Sequence, residues 1–246
     1  RQVLIYSCLL SGLIALVLVT LALLYNKQVL EHDLAEKREE IKQHIRDRIL
    51  KYEYGLIGLR GAVFVGGVNT INEQQLLAYS QSRNYAQEFP GAKGLGFIRY
   101  IKKADVESFF DHFEQLNHYR LRLRELSPNS QDRFIIQFVY PVKLNANAFG
   151  LDIASEKHRY EAALAAAKSG QTQLTAPIQL VQSLEKSAHS FLFLLPLYST
   201  VTAPATEAER WAKLQGWSYA ALSMNEVIGH SGWSTSTINL NLSDVT

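Results

Sequence analysis

The segment from Val3 to Tyr25 limits the possible folds of this chain more than any other feature. It runs for 23 residues without a charged, asparagine or glutamine side chain. As a helix it would reach about 35 Å, which is enough for a hydrocarbon core of roughly 30 Å. The alternative, a cleaved secretory signal, has an apolar core of only about 7–15 residues and a small-residue cleavage site, which Tyr25 and Asn26 do not supply. We therefore expect an uncleaved transmembrane anchor over residues 1–26.

A charged, amphipathic segment follows the anchor over residues 27–60. Its apolar residues are separated by steps of four, seven, four, seven, four and three: Leu30, Leu34, Ile41, Ile45, Tyr52, Leu56 and Leu59. This heptad-like spacing predicts a long stalk helix. We expect the first half of the helix to pair with its copy in a second chain, as in a homodimer. For the second half, packing against the chain's own domain is an equally good interpretation.

Composition and charge exclude several classes of protein. With 47% hydrophobic and 20% charged residues, the chain is globular in composition rather than disordered or collagen-like. Its 25 basic and 23 acidic residues leave a formal charge of only +2, so we expect no nucleic acid partner. The single cysteine, Cys8, lies within the apolar run, which excludes an intrachain disulfide and a thiolate metal cluster.

Residues 61–246 alternate between helical and strand patterns, which predicts an α+β fold. Asn72 is expected to cap a helix that extends to about Phe89, and Asp105 and Ser155 are expected to cap two further helices. The helix after Ser155 should end at Gly170, because glycine favours the left-handed conformation there. Strands are predicted over residues 94–101, 119–124, 133–142, 172–182, 190–198, 216–222 and 237–242.

Patterns typical of catalysis or metal binding do not emerge from the sequence. The run Gly229-His230-Ser231-Gly232-Trp233 begins like a nucleophile turn, but Trp233 stands where that tight turn needs a second glycine. The seven histidines include no His-Glu-x-x-His pattern, and Gly66-Gly67 lacks the Lys-Ser/Thr of a phosphate-binding loop. We therefore expect no enzymatic activity, metal or cofactor. A hydrolase that uses Ser231 is the enzymatic alternative.

Eight short motifs follow one another in a characteristic order between Gly61 and Ile228. They are Phe89-Pro90-Gly91, Gly94-Leu95-Gly96-Phe97, Tyr140-Pro141-Val142, Gly150-Leu151-Asp152-Ile153-Ala154-Ser155, Ser169-Gly170-Gln171, Leu174-Thr175-Ala176-Pro177, Leu192-Phe193-Leu194-Leu195-Pro196-Leu197-Tyr198 and Gly216-Trp217-Ser218-Tyr219-Ala220. In order and spacing they resemble the CHASE domain, the extracytoplasmic sensory module of bacterial and plant sensor histidine kinases, cyclic-di-GMP enzymes and adenylate cyclases. The resemblance implies a long helix followed by two PAS-like antiparallel-sheet subdomains.

The resemblance also implies a domain arrangement and a location. The membrane-distal subdomain would take residues 89–199, and an incomplete membrane-proximal subdomain would take residues 205–246. A second transmembrane helix and a cytoplasmic output domain, either a histidine kinase or a GGDEF/EAL enzyme, would follow. The expected location is the bacterial inner membrane with the sensory domain in the periplasm. Basic residues after the anchor favour the opposite orientation, but long domains translocate largely regardless of flanking charge.

The resemblance suggests three polar residues for a ligand site in the distal subdomain. In the plant cytokinin receptors, the threonine of a Leu-Thr-Ser-Pro motif lies in the ligand pocket, and Thr175 occupies that place here. The loop that carries a purine-recognising aspartate in those receptors contains Asn145 and Asn147 in this chain. An amide can donate and accept hydrogen bonds but lacks the charge of the aspartate. The ligand is therefore expected to be purine-like or another small organic molecule.

From the residues alone, we expect a pocket between sheet and helix that is lined by aromatic side chains, namely Phe138, Tyr140 and Phe193. Tyr140, Asn147 and Thr175 would fix the orientation of the ligand. The sequence thus predicts the extracytoplasmic ligand-sensing region of a membrane-bound signalling receptor. The alternative is a structural module of such a receptor that binds a partner protein and has no small-molecule site.

Overall fold

A computed structural model describes residues 2–181, 190–224 and 227. The chain divides into two compact units, Arg1–Asp47 and Arg48–Thr246, and helix α1 (Gln2–Gly66) begins in the first and ends in the second. In the first unit every side chain from Leu9 to Tyr25 is exposed. Among the described residues, α1 is the helix that is long and apolar enough to cross a membrane. Leu30 and Leu34 are also exposed, and their pairing with a second chain stays a prediction.

The second unit contains an antiparallel sheet that has five strands within the described residues, in the order β2-β1-β5-β4-β3. The strands are β1 (Ala92–Ile101), β2 (Arg133–Tyr140), β3 (Gln173–Leu174), β4 (Ser190–Tyr198) and β5 (Leu214–Ser223). The further helices are α2 (Glu73–Gln81), α3 (Tyr85–Glu88), α4 (Val106–Asn117), α5 (Lys157–Ser169) and α6 (Glu207–Lys213). This architecture confirms the α+β class.

Strand β5 changes the expected division of the domain. It lies at the centre of the sheet, where it pairs with β1 on one side and β4 on the other. The predicted domain arrangement places β5 in a proximal subdomain over residues 205–246, apart from the strands of residues 89–199. Because all these strands share one sheet, the predicted boundary does not separate two sheets. The predicted strand over residues 237–242 lies outside the described residues.

The two faces of the sheet bury different helices. On one face, Tyr52, Leu56, Leu59 and Val63 of α1 are fully buried, and they pack with apolar side chains of β1, β2, β4 and β5. The second half of the stalk therefore packs against its own domain. On the other face, the alanines of α5 pack on β4 and β5, and the indole N–H of Trp217 donates to the carbonyl of Ala163 at 3.0 Å.

Of the four predicted helix ends, those at Asn72 and Gly170 are correct, Asp105 lies at the predicted N-cap position of α4, and Ser155 is not the cap of α5. Asn72 accepts a hydrogen bond from the amide of Gln75, whose side chain accepts one from the amide of Asn72. The helix that Asn72 starts ends at Gln81, before a separate α3. Asp105 forms no side-chain capping bond. At α5 the cap is Glu156, while the hydroxyl of Ser155 accepts from the amide of Leu126. The predicted end at Gly170 is correct, since this residue is left-handed with φ of 76°.

Two strand predictions are wrong or too long. Residues 119–124 form no strand, although Arg124 makes an isolated bridge with Leu151. The guanidinium of Arg120 instead forms ion pairs with carboxylates of α4, and Leu121 is buried in a cluster with Phe110 and Phe113. Local side-chain contacts thus replace a sheet ladder. The strand predicted over residues 172–182 is reduced to β3.

One hydrogen bond connects α1 directly to β5. The hydroxyl of Ser218 donates to the carbonyl of Leu56 at 2.9 Å, and both groups are buried. We expect Ser218→Ala to lower the free energy of unfolding by about 1 kcal/mol, because the carbonyl keeps its helical partner. Denaturant titration of Ser218→Ala beside Ser108→Ala, whose hydroxyl bonds at the exposed surface, measures the difference. Equal losses in the two variants would contradict this prediction.

Candidate functional site

A small cavity lies between the sheet and the N-terminal part of α5. Apolar side chains form most of its wall, and Arg159 and Tyr219 are its polar members. The complete lining is Ile136, Ala148, Leu151, Ile153, Arg159, Leu180, Val181, Leu192, Tyr219 and Ala221. The cavity volume is about 10 Å³, close to the least that one water molecule needs. An organic ligand would therefore have to move these walls apart.

Arg159 places a buried positive charge at the cavity. Its residue surface is 3% exposed, and its Nη2 donates to the carbonyl of Gln179 at 2.7 Å. Its Nη1 lies 3.5 Å from Oε2 of Glu156, the residue that also caps α5. Burial lowers the pKa of the Arg159 guanidinium, and the nearby Glu156 charge opposes that shift. Such a group favours a ligand that carries a hydrogen-bond acceptor, above all a carboxylate or carbonyl oxygen.

Tyr219 is the second polar residue in the lining of the same cavity. The residue is 1% exposed. Burial raises its pKa above the ordinary value, so the phenol is neutral and can donate. A Cβ atom at Gly96 would lie 2.6 Å from the Tyr219 ring, so the glycine of the neighbouring strand is what allows this ring position.

The predicted aromatic residues lie on the opposite face of the sheet from this cavity. Phe138 and Phe193 are buried in the cluster beneath α1, and half-buried Tyr140 packs against the same cluster. Phe138 lies on this face because β2 contains a bulge. Phe97 of β1 pairs with Phe138, but the next residue of β1 pairs with Ile136. The extra residue, Gln137, reverses the alternation of side chains between the two faces.

The predicted polar residues are dispersed. Thr175 is buried next to the cavity wall, where its amide and hydroxyl both pair with Leu192, at 3.0 and 3.1 Å. The buried amide of Asn145 donates to the carbonyls of Lys93 and Pro141, each at 2.9 Å. Asn147 is exposed, and its carbonyl accepts from Arg124. The structure thus brings Thr175 close to the cavity wall, and Asn145 and Asn147 form no part of the cavity lining.

No group of three or more histidine, cysteine, aspartate or glutamate side chains that could hold a metal ion occurs among the described residues. Ser231, the residue of the hydrolase alternative, lies outside them.

Arg159 and Tyr219 are not among the site residues predicted from the sequence, although both carry a recognisable signal. Arg159 falls on the same helical stripe as Ala163 and Ala166, which are fully buried. A charged residue on an apolar stripe indicates a buried ion or a binding site. Tyr219 alternates with Trp217 along β5, so the two side chains share one face of the sheet.

Comparison with known families accounts for most of the chain. The family model described as CHASE domain matches residues 69–246, which is more than half of the sequence. A search of curated proteins finds no match. The matched region contains every strand of the sheet and the whole lining of the cavity. The chain therefore belongs to the CHASE domain family, the extracytoplasmic sensory domains of signalling receptors.

Proposed function

We propose that this chain is the ligand-sensing region of a membrane-bound receptor and that the cavity at Arg159 and Tyr219 binds a small organic molecule. The observation that carries the proposal is that a buried arginine and a buried tyrosine line one otherwise apolar cavity. Burying such groups costs free energy unless a partner compensates them. A ligand that accepts hydrogen bonds from both groups would provide that compensation.

The chemistry of the cavity restricts the ligand. Both polar groups of the wall donate hydrogen bonds, so the ligand must offer acceptors, such as a carboxylate or the carbonyl and ring nitrogens of a purine. The apolar remainder of the wall favours a planar or aliphatic body. Thr175 adjoins Leu192 of the wall, and a wider cavity would bring its hydroxyl within reach of the ligand.

Strands β4 and β5 offer a route by which ligand binding could be transmitted to α1, because both strands contact the cavity on one face and α1 on the other. Leu192 and Tyr219 face the cavity, whereas the neighbouring Phe193 and Ala220 pack beneath α1. A ligand that widens the cavity would displace β4 and β5 against α1, the helix that also contains the apolar segment. The ligand shifts this equilibrium only by its differential affinity for the two arrangements. In our proposal the first half of the stalk forms a homodimer in a bacterial inner membrane, and the output domain is a histidine kinase or a cyclic-di-GMP enzyme.

A thermal-shift screen of purines and small carboxylates on the full chain in detergent tests this site. We expect a binding compound to raise the melting temperature by several degrees at saturation. Tyr219→Phe should weaken binding of that compound about 2- to 13-fold, because one neutral hydrogen bond is lost. Arg159→Met should weaken it more than tenfold. Affinity unchanged in both variants would contradict the assignment of the cavity as the binding site.

The alternative, a structural module that binds a partner protein, has one observation in its favour, the small volume of the cavity. It makes a different prediction for Ala221→Val, which adds two methyl groups to the cavity wall. A sensor should lose its response to the ligand in this variant, whereas a structural module should keep its signalling output. Output measured in cells with the full-length receptor separates the two functions.

A further inference from the structure

A second concave site, which we call the sheet-end groove, is lined by the end of β1, by α4 and by α6. It has a volume of about 630 Å³ and shares no lining residue with the cavity at Arg159. The side chains that matter most here are Arg99, Tyr100, Lys102, Phe109, His112 and Trp211. They combine positive charge with aromatic surface, which is a different chemistry from that of the small cavity.

Arg99 brings a positive charge to the groove without a counter-ion. Its Nη1 donates to the carbonyl of Val68 at 2.6 Å, and its Nη2 donates to the side-chain oxygen of Asn69. Both acceptors are neutral, and among the described residues no carboxylate forms an ion pair with Arg99. Its Nε is buried and has no hydrogen-bond partner. Burial lowers the pKa of this guanidinium to about 10, and no acidic neighbour opposes the shift.

Other charges around the groove add to that of Arg99. Lys102 is exposed at the rim, and His112 is held by a contact of 2.6 Å between its Nε2 and the carbonyl of Asn69. Asp105 is the single carboxylate among the lining residues. With the histidine neutral, the lining therefore carries an excess of one positive charge. An anion that enters the groove would supply the counter-ion that Arg99 lacks among the described residues.

The groove lining also contains aromatic side chains. Trp211 is 38% exposed, and its ring centre lies 5.6 Å from that of Tyr100. The Tyr100 hydroxyl donates to Asp132 at 2.7 Å, which helps to fix the position of the Tyr100 ring. Phe109 of α4 is half-buried and adds a second aromatic surface. An exposed indole beside a groove offers a surface on which a planar ring can stack.

We infer that the sheet-end groove is a second ligand site and that it binds a small aromatic carboxylate. The carboxylate would pair with Arg99 and Lys102, while the ring would pack against Trp211 and Phe109. This site does not depend on the cavity at Arg159. Because Arg99 holds Val68 and Asn69, the two residues that follow the end of α1 and Gly67, binding here would act on the segment that connects α1 to α2.

Calorimetric titration of the full chain in detergent with phenylacetate tests the inference, with the neutral analogue phenylacetamide as the matched ligand. We expect saturable binding of the acid and at least about tenfold weaker binding of the amide, because the charge-assisted hydrogen bonds are lost. Equal binding of the two compounds, equal binding of inorganic phosphate, or no binding of phenylacetate would each overturn the inference.

Single-residue variants test whether phenylacetate binds in the sheet-end groove. Arg99→Gln should weaken phenylacetate at least about tenfold, and Trp211→Ala should weaken it several-fold. Arg120→Gln is the matched control, because Arg120 forms ion pairs with Asp111 and Glu114 and does not line the groove. This variant should bind phenylacetate as the parent chain does. If Arg99→Gln fails to fold, the exposed Trp211→Ala still decides the question. Loss of binding in Arg159→Met, with no change in Trp211→Ala, would place the acid in the small cavity and overturn the second site.

Discussion

Replacing Asp152 by alanine is expected to lower the free energy of unfolding by about 3–5 kcal/mol, because it breaks a buried charged network. Asp152 is fully buried, and its Oδ1 accepts from the amides of Phe134 and Ala154, at 2.8 and 3.0 Å. Its Oδ2 accepts from the side chain of Asn129 at 2.8 Å and lies 3.6 Å from Nη1 of Arg133. Alanine would leave these donors unpaired in the interior.

Urea denaturation of the full chain in detergent measures this loss. The control is Asp111→Ala, which removes an exposed carboxylate that forms a surface ion pair with Arg120. That variant should lose less than about 1 kcal/mol, since solvent screens exposed pairs. If Asp152→Ala were no less stable than Asp111→Ala, Asp152 would not hold β2 and the turn before α5 together.

Leu56→Ala is expected to have the second largest effect, a loss of about 2–5 kcal/mol of unfolding free energy. Leu56 is fully buried between α1 and the sheet, so truncation removes apolar contact and leaves a cavity there. The neighbouring Ile57 is 40% exposed and provides the matched control on the outer side of the same helix turn. Ile57→Ala should lower the free energy of unfolding by a clearly smaller amount.

The Leu56 variant also tests the proposed route of transmission. In our account β4 and β5 act on α1 through this buried contact. We therefore expect Leu56→Ala to uncouple ligand binding from output in the full-length receptor, while Ile57→Ala keeps the response. A receptor with Leu56→Ala that responds to its ligand like the parent would contradict this route, provided that the protein is folded.

The long helix and four of the strands are the part of the fold that the sequence predicts well. The long helix follows from the apolar run and the heptad spacing, and β1, β2, β4 and β5 follow from apolar runs bounded by turn residues. The bulge at Gln137 could not be foreseen, because it depends on the register between β1 and β2. Likewise, residues 119–124 alternate like a strand, yet ion pairs and burial against α4 decide their conformation.

The cavity was harder to predict than the fold. Arg159 and Tyr219 are 60 residues apart in the sequence, and they meet only because α5 packs across β5. Sequence patterns do predict that each lies on a buried face, but the meeting of the two faces is a tertiary contact. Thr175 was placed near the site by its motif, whereas Phe138 and Phe193 were assigned by aromatic character, which does not distinguish the two faces of a sheet.

Cysteine labelling in intact cells tests most directly whether the sensory domain lies outside the membrane that α1 is proposed to span. The single native cysteine can be replaced as Cys8→Ser, after which one cysteine is introduced at Val201, which is 78% exposed. A control variant carries its only cysteine at Gln2, before the apolar segment. We predict that a membrane-impermeant maleimide labels Val201→Cys at once and Gln2→Cys only after permeabilisation. The reverse pattern would contradict the account.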